Sequence, residues 1–271
     1  GSWTNSSVGL PDEGAFGQIA IGDIDGNGAD DIVGPYETRY SVESTTGIGI
    51  WLSSGGPTVT WTSGNSPTST GSYLAVDMGF VDSDSDIDIA AAGEGSGIEV
   101  WLGNGGGSWT PASTGLPSNG EHYGICLGDL NRDGNTDLVA GSDSGVKAYL
   151  GNGGTGWNSA SSGLPGSGTY HSINITDVNN DGNHDIVSSG QNGIYIFTGN
   201  GGAGGTMKWE SNSSGLPNFA THGQIATGDV DNDGNIDLLT GQMDGNGVKL
   251  YLGDGGAGGA CDWTRYTQGL P

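Results

Sequence analysis

Residues Gly128 to Ala140 read Gly-Asp-Leu-Asn-Arg-Asp-Gly-Asn-Thr-Asp-Leu-Val-Ala. Oxygen-bearing side chains fall on alternate positions, Asp129, Asn131 and Asp133, a glycine follows, and Asp137 closes the set. Oxygens on alternate residues of a tight loop can converge on one point, and Gly134 permits the sharp turn. Three carboxylates drawn together in this way need a positive charge between them. Short apolar runs flank the loop, Ile125 to Leu127 before it and Leu138 to Ala140 after it, and these are strand signals. The stretch therefore predicts strand, cation loop, strand.

The same template, an acid at position 1, Asp or Asn at 3 and 5, Gly at 6 and Asp at 9, occurs in three other places. They are Asp23, Asp25, Asn27, Gly28 and Asp31; Asp177, Asn179, Asp181, Gly182 and Asp185; and Asp229, Asp231, Asp233, Gly234 and Asp237. The backbone carbonyl at position 7 (Ala29, Asn135, Asn183, Asn235) is the expected further ligand. A fifth copy departs from the template. Phe80 stands at position 1 and Ser85 replaces the glycine, while Asp82, Asp84, Asp86 and Asp88 remain, so its site is expected to be weak, rearranged or empty. A donor set of oxygens without His or Cys favours calcium over zinc or copper, and magnesium usually retains several waters. The expectation is four or five calcium ions with an architectural role. A helix–loop–helix calcium hand wants Glu at position 12, where Gly34, Ala140, Ser188 and Thr240 stand instead.

Outward from the loops lies a longer repeat: a Trp, a polar stretch, Gly-Leu-Pro, an apolar strand, the Asp loop, a second strand, an aromatic-bearing strand, then a Gly-rich turn. Gly-Leu-Pro begins at Gly9, Gly115, Gly163, Gly215 and Gly269, and successive loop starts are 57, 49, 48 and 52 residues apart. This spacing suits one four-stranded propeller blade. The fold expected is all-β: one propeller domain over residues 1–271 of about five four-stranded blades, with repeats at roughly 12–67, 68–117, 118–165, 166–217 and 218–271. Residues 1–11 form an extra copy of the terminal Trp/Gly-Leu-Pro segment: either one terminus adds an extra edge or the chain is an excerpt of a longer array, and a closed five-bladed ring is the expectation.

Composition bounds the function. Thirty-one acidic residues against six basic ones give a formal charge of −25. Nucleic acid is excluded as a partner, because phosphate neutralisation needs clustered Lys and Arg. No apolar run is long enough to insert in a membrane. The 57 glycines, set in a period, read as turn positions of many short strands. Cys126 and Cys261 make no disulfide framework.

The strand, Gly-Asp-x-Asn/Asp-x-Asp-Gly-Asn-x-Asp, Leu/Ile-Val pattern, clearest at Gly128 to Ala140 and Gly228 to Leu239, resembles the FG-GAP or VCBS repeat. That repeat occurs in integrin α-subunit propellers and many secreted microbial proteins. The resemblance covers nearly all the chain and implies a β-propeller, calcium in the loops and an extracellular, secreted or cell-surface location. It leaves the ligand open among adhesion receptors, lectins and accessory domains of enzymes.

Three groups of residues are candidates for recognition. Phe16, Tyr73, His122, Tyr170 and His222 head the strands that lead into the loops, and they either ring one mouth of the propeller or pack inside it. The segment Gly34 through Thr46 interrupts the first repeat and brings Tyr36, Arg39 and Tyr40, a recognition loop or a simple elongation. Trp3, Trp61, Trp109, Trp157, Trp209 and Trp263 read as blade-to-blade packing, and Trp51, Trp101, Tyr149, Phe197 and Tyr251 as core. The leading functional expectation is a calcium-stabilised extracellular binding or adhesion module for carbohydrate or a surface protein, without catalytic residues. The alternative is a structural subunit whose terminal strands pair between chains. An enzyme such as a polysaccharide lyase is disfavoured, since the few basic residues fall in different units and no Ser/His/Asp or Cys/His grouping is evident.

Overall fold

Each repeat folds as an antiparallel meander in which the Asp loop joins the first two strands. The computed structural model describes residues 7–11, 15–37, 46–56, 58–202, 205–219, 221–242, 247–256 and 261–266. In the third repeat, β10 (His122–Gly128), β11 (Asp137–Ser142), β12 (Gly145–Gly151) and β13 (Trp157–Ser159) pair in chain order. The second repeat gives β6 (Tyr73–Gly79), β7 (Asp88–Gly93), β8 (Gly97–Leu102) and β9 (Thr110–Pro111). The fourth gives β14 (Tyr170–Thr176), β15 (Asp185–Gly190), β16 (Gly193–Gly199) and β17 (Trp209–Ser211). The fifth gives β18 (His222–Gly228), β19 (Asp237–Gln242), β20 (Val248–Gly253) and β21 (Trp263–Tyr266). In the first repeat the leading strand is broken into β1 (Ala15–Phe16) and β2 (Ala20–Gly22), both paired with β3 (Asp31–Glu37), and β4 (Thr46–Ser53) and β5 (Trp61–Ser63) complete the sheet. These are five repeated, propeller-like blades.

The described residues divide into two compact units, one of residues 1–121 and 152–156, the other of 122–151 and 157–271. In the first, blades one and two share a core in which Val33, Ile48 and Ile50 meet Val76, Ile89, Ala91 and Trp101. In the second, Val139, Val146 and Ala148 of blade three meet Ile173, Ile186 and Phe197 of blade four. Val187, Ile194 and Ile196 of blade four likewise meet Ile225, Leu238 and Tyr251 of blade five. One blade offers its rear face and the next its front face. A lone four-stranded sheet buries too little to be stable, and stacking supplies the missing core. The aromatics Trp51, Trp101, Tyr149, Phe197 and Tyr251 are all buried.

Gly-Leu-Pro has a defined mechanical role. The Leu N–H closes a turn onto a Ser carbonyl three residues back (Leu10 to Ser7, Leu116 to Ser113, Leu164 to Ser161, Leu216 to Ser213). The glycine between them is left-handed, with φ of 97° at Gly9 and 98° at Gly163. The Pro carbonyl accepts from the third strand of its own blade (Ile98 to Pro117, Val146 to Pro165, Ile194 to Pro217). The carbonyl just before the glycine accepts the Trp N–H of the last strand that follows, Trp61 to Val8 at 2.9 Å and Trp209 to Ser162 at 3.1 Å. The segment is a clasp between consecutive blades, and the copy at residues 7–11 clasps blade one. The last copy, from Gly269, lies outside the described residues.

A Cβ on Gly163 would lie 2.1 Å from the Trp209 carbonyl oxygen, whereas one on Gly166 would meet nothing. We expect Gly163→Ala to destabilise the protein by at least about 2 kcal/mol and Gly166→Ala by less than about 0.5 kcal/mol, read from urea unfolding midpoints.

Candidate metal loops and inter-blade grooves

At the centre of every blade a buried aspartate at loop position 9 accepts two backbone N–H groups. Asp137 takes Leu130 N–H at 2.8 Å on Oδ2 and Gly151 N–H at 2.9 Å on Oδ1. Asp31 does the same with Ile24 and Ser53, Asp88 with Val81 and Gly103, Asp185 with Val178 and Gly199, and Asp237 with Val230 and Gly253. Each carboxylate thus ties the start of its loop to the end of the third strand. Burial pushes Asp137 and Asp185 up to about 7, against the lowering effect of those N–H groups, and neighbouring loop aspartates add to the rise. Burial also raises Asp31 and Asp88.

The exposed part of each regular loop is organised by its own carboxylates. Asp129 accepts the N–H groups of Asp133 and Gly134, Asn131 that of Asp133, and Asp133 that of Asn135. The loops of Asp177 and Asp229 repeat this set bond for bond. The loop of Asp23 does so with Asn27 at position 5. Position 4 is left-handed in all four, as Gly26, Arg132, Asn180 and Asn232, and so is the glycine at position 6. The sequence reading missed the position-4 constraint, although Gly and Asn at three of the four positions signal it.

Two of the loops gather three carboxylates. Asp23, Asp25 and Asp31 each bring one oxygen to within 4.8 Å of the others, and so do Asp229, Asp231 and Asp237. Position 3 is Asn in the other two regular loops, where Asn131 and Asn179 instead donate to Asp133 and Asp181. A hard cation fits this donor set: it would supply the charge that keeps a buried Asp ionised, with Asp23, Asp25 and Asp31, or their equivalents, as the residues that hold it. The second loop is built differently. Phe80 is exposed and offers no acceptor to positions 5 and 6, and neither Ser83 nor Ser85 is left-handed. Only the position-9 bracket and two short Asp turns remain there.

The Gly-rich turn after the third strand closes over the loops. A Cβ on Gly201 would strike Asn183 of its own loop, and one on Gly202 would press on Asn131 of the preceding blade. Gly255 and Gly256 stand in the same way against Asn235 and Asn179. Asn180 also donates to Asn235 at 3.1 Å, and the His184 ring meets the Asp129 carbonyl at 2.6 Å. The loops are therefore part of the blade-to-blade contact.

Beside these turns lie grooves that recur. One, of about 280 Å³, is lined by Leu52, Ser63, Asn65, Asp25, Gly105 and Trp109. Its counterpart between blades three and four, about 430 Å³, is lined by Leu150, Ser159, Ser161, Ser162, Thr206 and Met207. Ser63 and Ser159, and Leu52 and Leu150, hold equivalent positions. A third cavity of about 350 Å³ lies between residues 9–11, Tyr36 and Trp51.

Tyr73, His122, Tyr170 and His222 are buried, each at the head of a leading strand with a register shift just after it. The residues after them, Tyr123 and His171, are half-buried and pair at 5.4 Å between ring centroids, a feature the sequence reading passed over. Tyr36 belongs to β3 and packs edge-on against Trp51. The side chain of Phe16, and Arg39 and Tyr40, lie outside the described residues.

The family described as FG-GAP-like repeat matches residues 81–140, 129–188 and 177–240, more than half of the chain. The chain belongs to the FG-GAP-like repeat family. No curated protein matches its sequence. Among solved structures, it is similar to that of an Agrocybe aegerita lectin described as specifically recognising non-reducing terminal N-acetylglucosamine. The TM-score is 0.57 at 19% identity. The match covers 92% of this chain but 65% of the lectin's, less than two thirds of its length. At that identity the likeness is one of fold.

Two buried N–H groups lose their acceptor in Asp137→Ala, and we expect a loss of about 3 kcal/mol or more in chelator. Asp133→Ala, on the exposed rim, should cost less than about 1.5 kcal/mol under the same conditions. Urea unfolding of both variants checks this.

Proposed function

We propose that this chain is a calcium-stabilised, extracellular, non-catalytic module that binds carbohydrate in the grooves between consecutive blades. The observation that carries the reading is the recurrence of one groove at equivalent places in two blade pairs. Each combines an apolar wall, Trp109 with Leu52 or Met207 with Leu150, and a rim of hydroxyl and amide groups. A sugar ring needs both, an apolar surface for its C–H face and hydrogen-bonding groups for its hydroxyls. The volumes suit one or two sugar residues. Calcium acts indirectly: Asp25 of the first loop lines the first groove, and the Gly201 turn beside the second rests on Asn183 of the fourth loop. The likeness to a lectin fold makes N-acetylglucosamine the first sugar to try.

Glycan screening followed by titration calorimetry, in calcium, tests the reading. We expect more than one sugar bound per chain and about tenfold weaker binding at the first groove in Trp109→Ala. A folded, calcium-loaded protein that binds no glycan overturns it.

A further inference from the structure

The fourth loop, Asp177 to Asp185, and the fifth, Asp229 to Asp237, are joined by a hydrogen-bonded relay. Asn180, the left-handed position-4 residue of the fourth loop, donates from Nδ2 to Oδ1 of Asn235 at 3.1 Å. Asn235 is position 7 of the fifth loop. Its own Nδ2 donates to Asp233 Oδ2 at 2.9 Å, and its backbone N–H to Asp233 Oδ1 at 2.8 Å. The relay therefore ends on the carboxylate at position 5 of the fifth loop. At its other end Asn180 stands between Asn179 and Asp181, which are tied to each other through Asn179 Nδ2 at 3.0 Å. The Gly-rich turn of blade five lies over the joint: a Cβ on Gly255 would be 2.1 Å from Asn235 Oδ1 and 2.5 Å from Asn180 Nδ2. On that side backbone stands where water would otherwise compete for the amides. Position 4 is Gly26 in the first loop and Arg132 in the third, whose guanidinium lies against Gly182 instead, so neither can form an amide pair.

We propose that Asn180 and Asn235 couple the cation sites of these two loops, so that filling either one raises the affinity of the other. This coupling builds on the calcium reading given above. With the fifth loop's oxygens gathered on a cation, Asp233 and the Asn235 carbonyl are held, and the Asn235 side chain is held with them. Asn180 then has a fixed acceptor, and its neighbours Asn179 and Asp181 lose part of their freedom in advance. Ordering a loop costs conformational entropy, and the second site to fill meets less of that cost. Repulsion between two cations acts the other way, but across exposed loops water and salt screen it. The coupling expected is about fivefold to tenfold in affinity, and by linkage it is equal in both directions.

Calcium titration of the full chain, followed by the amide resonances of Gly182 and Gly234, reads the two loops separately. Each of these N–H groups donates to the position-1 carboxylate of its own loop. Asp231→Ala takes one carboxylate from the trio of the fifth loop and leaves the atoms of the relay in place. It should weaken calcium binding in the fifth loop by more than about tenfold and in the fourth by about fivefold to tenfold. Asn180→Gly removes the relay and keeps the left-handed turn, as Gly26 does in the first loop. In that background Asp231→Ala should shift the fourth loop by less than about twofold. Loss of a negative charge alone would act in both backgrounds, and the comparison cancels it. If both glycines respond to calcium but Asp231→Ala shifts the fourth loop equally in both backgrounds, or in neither, the coupling alone is overturned. If neither glycine responds, the calcium reading itself falls, and the coupling with it.

Discussion

The constraint on which the blades depend is a buried carboxylate whose two oxygens are both held by backbone N–H groups. Asp137 joins Leu130, the second residue of its loop, to Gly151, the last of the third strand, and every blade has the same bracket. Burying a charge is costly, and burial pushes Asp137 and Asp185 up to about 7. The two N–H groups offset part of that cost, and a cation held by the rest of the loop would offset more. Position 9 is thus a structural tie, and with a cation bound it would be a ligand position as well. Loss of the cation would weaken the tie at its centre.

From this bracket the contact between blades follows. It fixes the loop, and the loop carries the side chains on which the Gly-rich turn rests, both within the blade and across to the preceding one. The Gly-Leu-Pro clasp fastens the opposite part of the same boundary by turning one carbonyl to its own blade and one to the next. Between the two fastenings lie the apolar faces and, outside them, the grooves. Stability and the proposed recognition therefore draw on one set of contacts, and the sheets alone would not define the groove walls.

Much of this was legible in the sequence. Alternate oxygens before a glycine gave the four regular loops, and Phe80 with Ser85 marked the odd one, whose backbone indeed lacks the left-handed pair. The strand order followed from the period of the repeat. What could not be read were facts about direction. Nothing local says that Asp137 points inward while Asp133 points out, because both fit the same ligand template. Tyr73 and His122 are buried at the head of their strands, just before a register shift, whereas the next residues in blades three and four, Tyr123 and His171, are half-buried, a difference no local pattern announces. Gly201 and Gly202 read as an ordinary turn, since the neighbour that forbids a side chain, Asn183 or Asn131, lies 18 or more residues away in the chain.

The central claim is that cations in the loops hold the blades together. Thermal unfolding with calcium and with excess chelator, joined to a count of bound ions by native mass spectrometry, tests it most directly. The account predicts four bound ions, one for each regular loop, and a large fall in the melting temperature on chelation. Unchanged melting and no bound calcium would contradict it.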